Sequence, residues 1–208
     1  MARVTGPLMS VDASGQFGKS LVFAKWKGRN YVRKLVIPAN PDSAAQKGVR
    51  AMMSFLAAGW KSLGAPAKAS WATIAAAASF SPFNAYVQTG LKRWRQFLPP
   101  AQATPVAGAH TAATLSGTSA TGGVGHAVIA ATLNTTSNIW GVVIARAAAS
   151  ISIPNWDNVV HVAPVPATTT FTWTDSGLAA GTYHYRIATI TDDGIIGAFC
   201  TDFNGTVT

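Results

Sequence analysis

The sequence predicts two domains of different class: an α+β segment of a β-hairpin and about three helices, followed by an all-β sandwich. Three observations carry this. Apolar residues recur at helical spacing from about residue 41 to 98, and with period two from residue 110 onward. Charge is segregated. Residues 1–100 hold 14 of the 16 Lys and Arg against two Asp, a net +12, while 101–208 hold Arg146 and Arg186 against five Asp, a net −3. Between the halves, Leu98-Pro-Pro-Ala-Gln-Ala-Thr-Pro105 has three prolines and no charge, which reads as a short, stiff linker. The expected organisation is a basic anchoring domain at 1–98, a Pro-rich linker at 99–105 and a sandwich at 106–208.

Composition excludes several classes. The chain has 208 residues, 49% hydrophobic and only 11% charged, the reverse of a disordered segment. It contains no Glu, so it is no coiled-coil rod. Cys200 is the single cysteine, which rules out an internal disulfide framework and a zinc site built on several cysteines. No apolar run reaches the roughly 18 residues that cross a bilayer. The first residues lack the apolar core of a secretory signal, so folding in a cytoplasm is expected.

Residues 1–15 have no period and read as a tail or as an arm that orders on a partner; if an arm, residues 1–20 should lie extended on neighbouring subunits. Phe17–Trp26 and Tyr31–Ile37 are rich in aromatic and β-branched residues and flank Lys27-Gly-Arg-Asn30, a hairpin signal in which Gly28 takes positive φ. A lone two-stranded ribbon is marginal in water, so something must cover it. Asn40 is suited to cap, and Pro41 to open, a helix reaching about Leu63, with Val49, Met52, Met53, Leu56 and Trp60 as its stripe. Gly64-Ala-Pro66 breaks it. A second helix, Pro66–Ser79, carries Trp71 and Ile74. Ser81-Pro82 repeats the cap for a third, running to about Leu98, with Lys92, Arg93 and Arg95 in its last turns, where cations suit the helix dipole.

Basic residues interleave with aromatics at Lys25, Trp26, Lys27, Arg29, Tyr31, Arg33 and Lys34. One reading is a ribbon packed on an acidic protein surface or kept soluble by its charge. The other is nucleic-acid contact, helped by the Lys92–Arg95 cluster. A helix-turn-helix in the last two helices is poorly matched, because the first of them is an Ala run with one charge, Lys68.

The string from Gly18 to Arg50, with Trp26-Lys-Gly28, Val32-Arg33, Asn40-Pro41, Gln46 and Arg50, resembles a pattern in proteins of tailed bacteriophages. That resemblance spans about 33 of 208 residues. It implies a virion protein assembled in a bacterial cytoplasm: a head decoration or cement protein first, a tail or neck component second. Its partners would be the major capsid protein or tail and neck proteins, within a homo-oligomer or symmetric array. Trp26, Tyr31, Arg33 and Arg50, with Lys25, Lys27 and Arg29, are the expected contact residues, since aromatics and Arg dominate interface energetics.

In the second half seven strands are expected: Thr111–Ser116, His126–Leu133, Ile139–Arg146, Val159–Val162, Thr169–Thr174, Tyr183–Thr191 and Ile196–Phe203. The run Gly177–Gly194, with Gly181-Thr-Tyr183-His-Tyr185-Arg-Ile187, resembles the late hairpin of fibronectin type III and immunoglobulin-like modules, and Trp140 would be their early-strand tryptophan. A carbohydrate or cell-surface adhesion module is the third reading, with Trp156 and Trp173 as exposed candidates.

No catalytic constellation is legible. His110, His126, His161 and His184 pair with no Cys or Glu at metal spacing, and His184 alternates with Tyr183 and Tyr185 so as to point out of the sandwich. The chain has no nucleophile elbow and no phosphate-binding glycine loop. Asp192 and Asp193 are adjacent turn residues. Cys200 reads as an inert, buried thiol. The expectation is a non-enzyme with no catalytic residue, cofactor or metal, and without a membrane partner.

Overall fold

The computed structural model describes residues 2–3, 15–18, 20–37, 43–96, 98–152 and 158–208. The chain divides into two compact units, 1–41 and 42–208.

In the first unit the hairpin is β3 (Leu21–Trp26) and β4 (Arg29–Lys34). Lys27 (φ 50°) and Gly28 (φ 76°) form the turn between them. Two consecutive left-handed residues make the primed two-residue turn whose twist matches antiparallel strands, so Arg29 and Asn30 are already paired in β4. The ribbon gains two short antiparallel flanking strands from its own chain, β1 (Ala2–Arg3) on β4 and β2 (Gly15–Phe17) on β3, giving the order β1-β4-β3-β2. Four strands relieve the marginal stability of two. Those five residues therefore pair within the chain, where the arm reading laid them on neighbours; most of the expected arm, 4–14, lies outside the described residues.

Among its described residues the second unit holds three helices and seven strands. Helix α1 (Ala44–Ser62) starts at Ser43, whose hydroxyl accepts from the Gln46 N–H at 3.4 Å. Asn40 and Pro41, expected to start it, lie outside the described residues. Helices α2 (Ala65–Ala78) and α3 (Pro82–Arg95) follow as anticipated, with Ser81 accepting from the Asn84 N–H at 3.2 Å.

The strands form an immunoglobulin/fibronectin III-like sandwich. One sheet has the order β5 (Leu115–Gly123), β6 (His126–Leu133), β9 (Thr170–Ser176). The other runs β11 (Phe203–Val207), β10 (Gly181–Thr191), β7 (Ile139–Ala147), β8 (Val159–Pro164). Two expected strands moved. The first lies at 115–123 instead of 111–116, because Gly122 and Gly123 pair with Ala127 and His126 inside the ladder. The last begins at Phe203; Ile196–Cys200 touches β10 through one bridge, Ile190–Ile196, and isolated backbone bonds from Gly197 and Cys200.

The domain boundary also differs from the sequence reading. The four-stranded sheet of the sandwich is covered on both faces. Ile129, Leu133, Val142, Ile144, Phe171 and Ile187 fill the space between the sheets. On the opposite face Trp140, Val143, Val162 and Ile190 share a core with Met52, Phe55, Leu56, Trp71, Tyr86 and Trp94 of the helices. Trp140 thus packs away from the sandwich interior, 4.7 Å from the Phe55 ring, and is not the interior tryptophan the module resemblance implied. Close approach depends on Gly141, where a Cβ would lie 2.7 Å from Phe55 Cζ. The proline segment is a packed strap rather than a spacer. Pro99, Pro100 and Ala101 are buried, the Gln102 carbonyl accepts from the Trp71 indole at 2.8 Å, and its N–H donates to the Asp192 carbonyl at 2.7 Å.

Candidate functional site

The β3–β4 register decides which of the sequence candidates act together. Directly paired residues share a face, so Val22–Arg33, Ala24–Tyr31 and Trp26–Arg29 line one side of the sheet. The other side carries Leu21–Lys34, Phe23–Val32 and Lys25–Asn30. Trp26 is 66% exposed, and the Lys27 ammonium stands 4.8 Å from its ring centre, a cation–π contact. Arg29 and Arg33 are exposed, and Tyr31 is half-buried. Trp26, Arg29, Tyr31 and Arg33 thus form one basic-aromatic face with Lys27 at its tip. Lys25 falls on the opposite face. Arg50 is exposed on α1, in the other compact unit. The 1–41 unit has seven Lys and Arg and one acid, Asp12. Of the Lys92–Arg95 cluster, Arg93 is engaged internally: Nε donates to the Pro99 carbonyl at 2.7 Å, and burial pulls its pKa down.

The sandwich brings together polar groups that sequence spacing hid. His110, Asp192 and Asp193 converge at one end: His110 Nδ1 lies 2.6 Å from Asp192 and 3.6 Å from Asp193. One Asp193 oxygen accepts from the backbone N–H groups of Ala109 and His110, and the other from the Thr191 hydroxyl at 2.6 Å. With both oxygens taken by the protein, the cluster ties the 109–110 segment to the turn after β10. His184 does face away from the interior that Tyr185 occupies, as expected, but it is no free surface group: its Nδ1 is 2.7 Å from Asp202, which also accepts from Ser150 and the Ile151 N–H. Trp173, read as an exposed aromatic, is half-buried and stacks on His161 at 4.8 Å; Trp156 lies outside the described residues. Burial lowers the His161 pKa, against an upward pull from Asp175. Cys200 is half-buried; burial raises its thiol pKa, and its Sγ accepts from the Ile187 N–H.

Two carboxyls carry a pH dependence. Burial pushes Asp193 and Asp202 upward. The hydrogen bonds from Thr191, His110 and Ala109 to the first, and from His184, Ile151 and Ser150 to the second, outweigh it and hold both below the usual range. A depressed folded-state pKa contributes stability that is complete above the unfolded value, about 3.9, and disappears as pH falls through the lower folded value. The melting temperature should therefore hold steady between pH 7 and 5 as far as these groups are concerned, and fall below about pH 4. In Asp193→Asn with Asp202→Asn that fall should be shallower; an unchanged acid limb would show that these contacts do not set it.

A cavity of about 390 Å³ lies between α1 and the β7–β8 edge, walled by Phe55, Trp140, Val162 and His161. Its lining has no Asp, Glu, Lys or Arg, and His161 is its one titratable side chain. Among the described residues no helix is long and apolar enough to cross a membrane.

No protein-family model matches the chain, and no curated protein sequence does. Among solved structures it is similar to a β-1,2-glucanase from Parabacteroides distasonis, at 14% identity and TM-score 0.34, over 47% of this chain and 14% of the glucanase. It is similar to an Fn3-like protein from Clostridium thermocellum, at 18% identity and TM-score 0.31, over 47% of this chain and 93% of that one. The soluble domain of PmoD from Methylocystis sp. ATCC 49242 (Rockwell) aligns at 14% identity and TM-score 0.30, over 42% of this chain and 76% of that domain.

Proposed function

We propose that this chain is a non-catalytic structural protein of a phage particle, a head decoration or cement protein first and a tail or neck component second, docked through the β3–β4 face. The observation that carries the docking reading is the register that places Trp26, Arg29, Tyr31 and Arg33 on one side of a separate, strongly basic sheet. An indole two-thirds exposed, paired across the hairpin with Arg29 and with the Lys27 ammonium over its ring, is the composition of an interface anchor: the ring supplies apolar area, and Arg meets carboxylates bidentately. The phage assignment rests on the resemblance over residues 18–50. The occupant of the face is then an acidic surface of a capsid, tail or neck protein, repeated so that individually weak contacts add.

The test is occupancy. Particles assembled with Trp26→Ala, and separately with Arg33→Ala, should retain far less of this protein than wild type. At about 2 kcal/mol for an anchor, each change weakens a single contact roughly thirty-fold. Loss should also grow with salt, because exposed charges are screened. Full occupancy of both variants would remove the face from the interface.

The same alternation supports a second reading. Aromatic rings and Arg on an exposed sheet are also a stacking platform for single-stranded nucleic acid. Titration of the purified chain with a labelled oligothymidine at two salt concentrations separates the readings: binding that collapses with salt and is lost in Trp26→Ala assigns the face to nucleic acid.

A further inference from the structure

We propose that the groove between α1 and α3 receives an amphipathic helix from an acidic partner protein. It stands on residues of the second unit alone and is independent of the β3–β4 reading. The groove, of about 270 Å³, is lined by Met53, Phe80, Phe83, Asn84, Val87 and Gln88. Met53 is 40% exposed and Phe80 44%, and Val49, one turn before Met53 on α1, is also exposed, so an apolar strip faces solvent. Methionine at its centre suits a surface that adapts to an incoming side chain.

Charge selects the occupant. From Ser43 to Leu98 the chain has seven Lys and Arg and no acid. Arg50 lies one turn before Met53, and Lys92 one turn after Gln88, so cations flank the strip at both helices. A second copy laid face to face would set this field against itself, whereas a helix with an apolar stripe flanked by Asp or Glu meets it with opposite charge. Apolar anchors at i, i+3, i+4 and i+7 are the spacing such a groove accepts.

The probe is a labelled 20-residue peptide with leucines at that spacing and Glu on both flanks, titrated against the full chain by fluorescence anisotropy. It should bind at least tenfold tighter than the same peptide with Lys for Glu, and at least tenfold tighter than an acidic peptide of the same composition with its leucines scattered. Met53→Asp and Phe80→Asp should each weaken it at least tenfold. Both positions are partly exposed, and if one variant fails to fold, the other decides. Four results would each overturn the proposal: no binding of the acidic peptide, equal binding of the scattered peptide, binding that survives both substitutions, or a dimer of the chain alone that Met53→Asp dissolves. The last would give the groove to a second copy.

Discussion

Arg146→Met should destabilise the 42–208 unit by about 3–5 kcal/mol, the range for leaving one member of a buried pair alone. Arg146 on β7 donates to Asp175 on β9 at 2.6 Å, so the pair bridges the two sheets of the sandwich. The side chains keep 16% and 8% of their exposure. Asp175 also accepts from the buried Tyr185 hydroxyl at 3.1 Å, and the Arg146 guanidinium lies over the Tyr183 ring. Removing the cation leaves a carboxylate between two sheets with one neutral donor. A unit of this size loses roughly 2–4 °C of melting temperature per kcal/mol, so the drop should reach about 10 °C. Arg146→Met combined with Asp175→Leu should recover much of it, because an apolar pair of similar volume carries no desolvation cost. A small loss in the single variant would show that water reaches the pair.

Gly122→Ala should be comparably severe although Gly122 is exposed. A Cβ there would fall on the carbonyl oxygen of Thr206, where β5 crosses the C-terminal strand β11. Backbone cannot swing aside as a side chain can, so the strands must part. Strain of that kind costs about 3 kcal/mol, and β11 is the element it should loosen. Hydrogen exchange of the Phe203–Val207 amides should rise more than that of β6. Gly177→Ala is the control: its φ of 73° brings conformational strain, but a Cβ there meets nothing within 4 Å, and the expected cost is about 1 kcal/mol. Equal effects of the two changes would mean that the β5–β11 crossing is looser than described.

These two positions also show what sequence reading reached. The hairpin, the three helices and five of the seven sandwich strands lay near their expected places, because each is announced by a local signal: Gly28 in the turn, Ser81-Pro82 at a helix start, period two along β6. The failures were non-local. Gly122-Gly123 fell outside every expected strand, and nothing in the sequence says that Thr206 comes to lie against Gly122. The boundary at 99–105 followed composition, although Ile139–Ala145 is apolar at every position, including Trp140. Such a run marks a strand covered on both faces, and was the available sign that the helices pack on the sandwich. Of the candidate contact residues, strand parity separated Trp26, Arg29, Tyr31 and Arg33 from Lys25 once the turn was placed. It had no way to place Arg50, which belongs to another element. His110 meeting Asp192 across more than eighty residues carried no signal at all.

The docking claim is tested most directly by the particle occupancy of a chain that lacks residues 1–41. Its helices and sandwich share one continuous core and should fold with a near-native melting temperature, yet the truncated protein should be absent from particles that the full chain decorates. Full decoration by the folded, truncated chain would contradict the assignment of docking to the basic sheet.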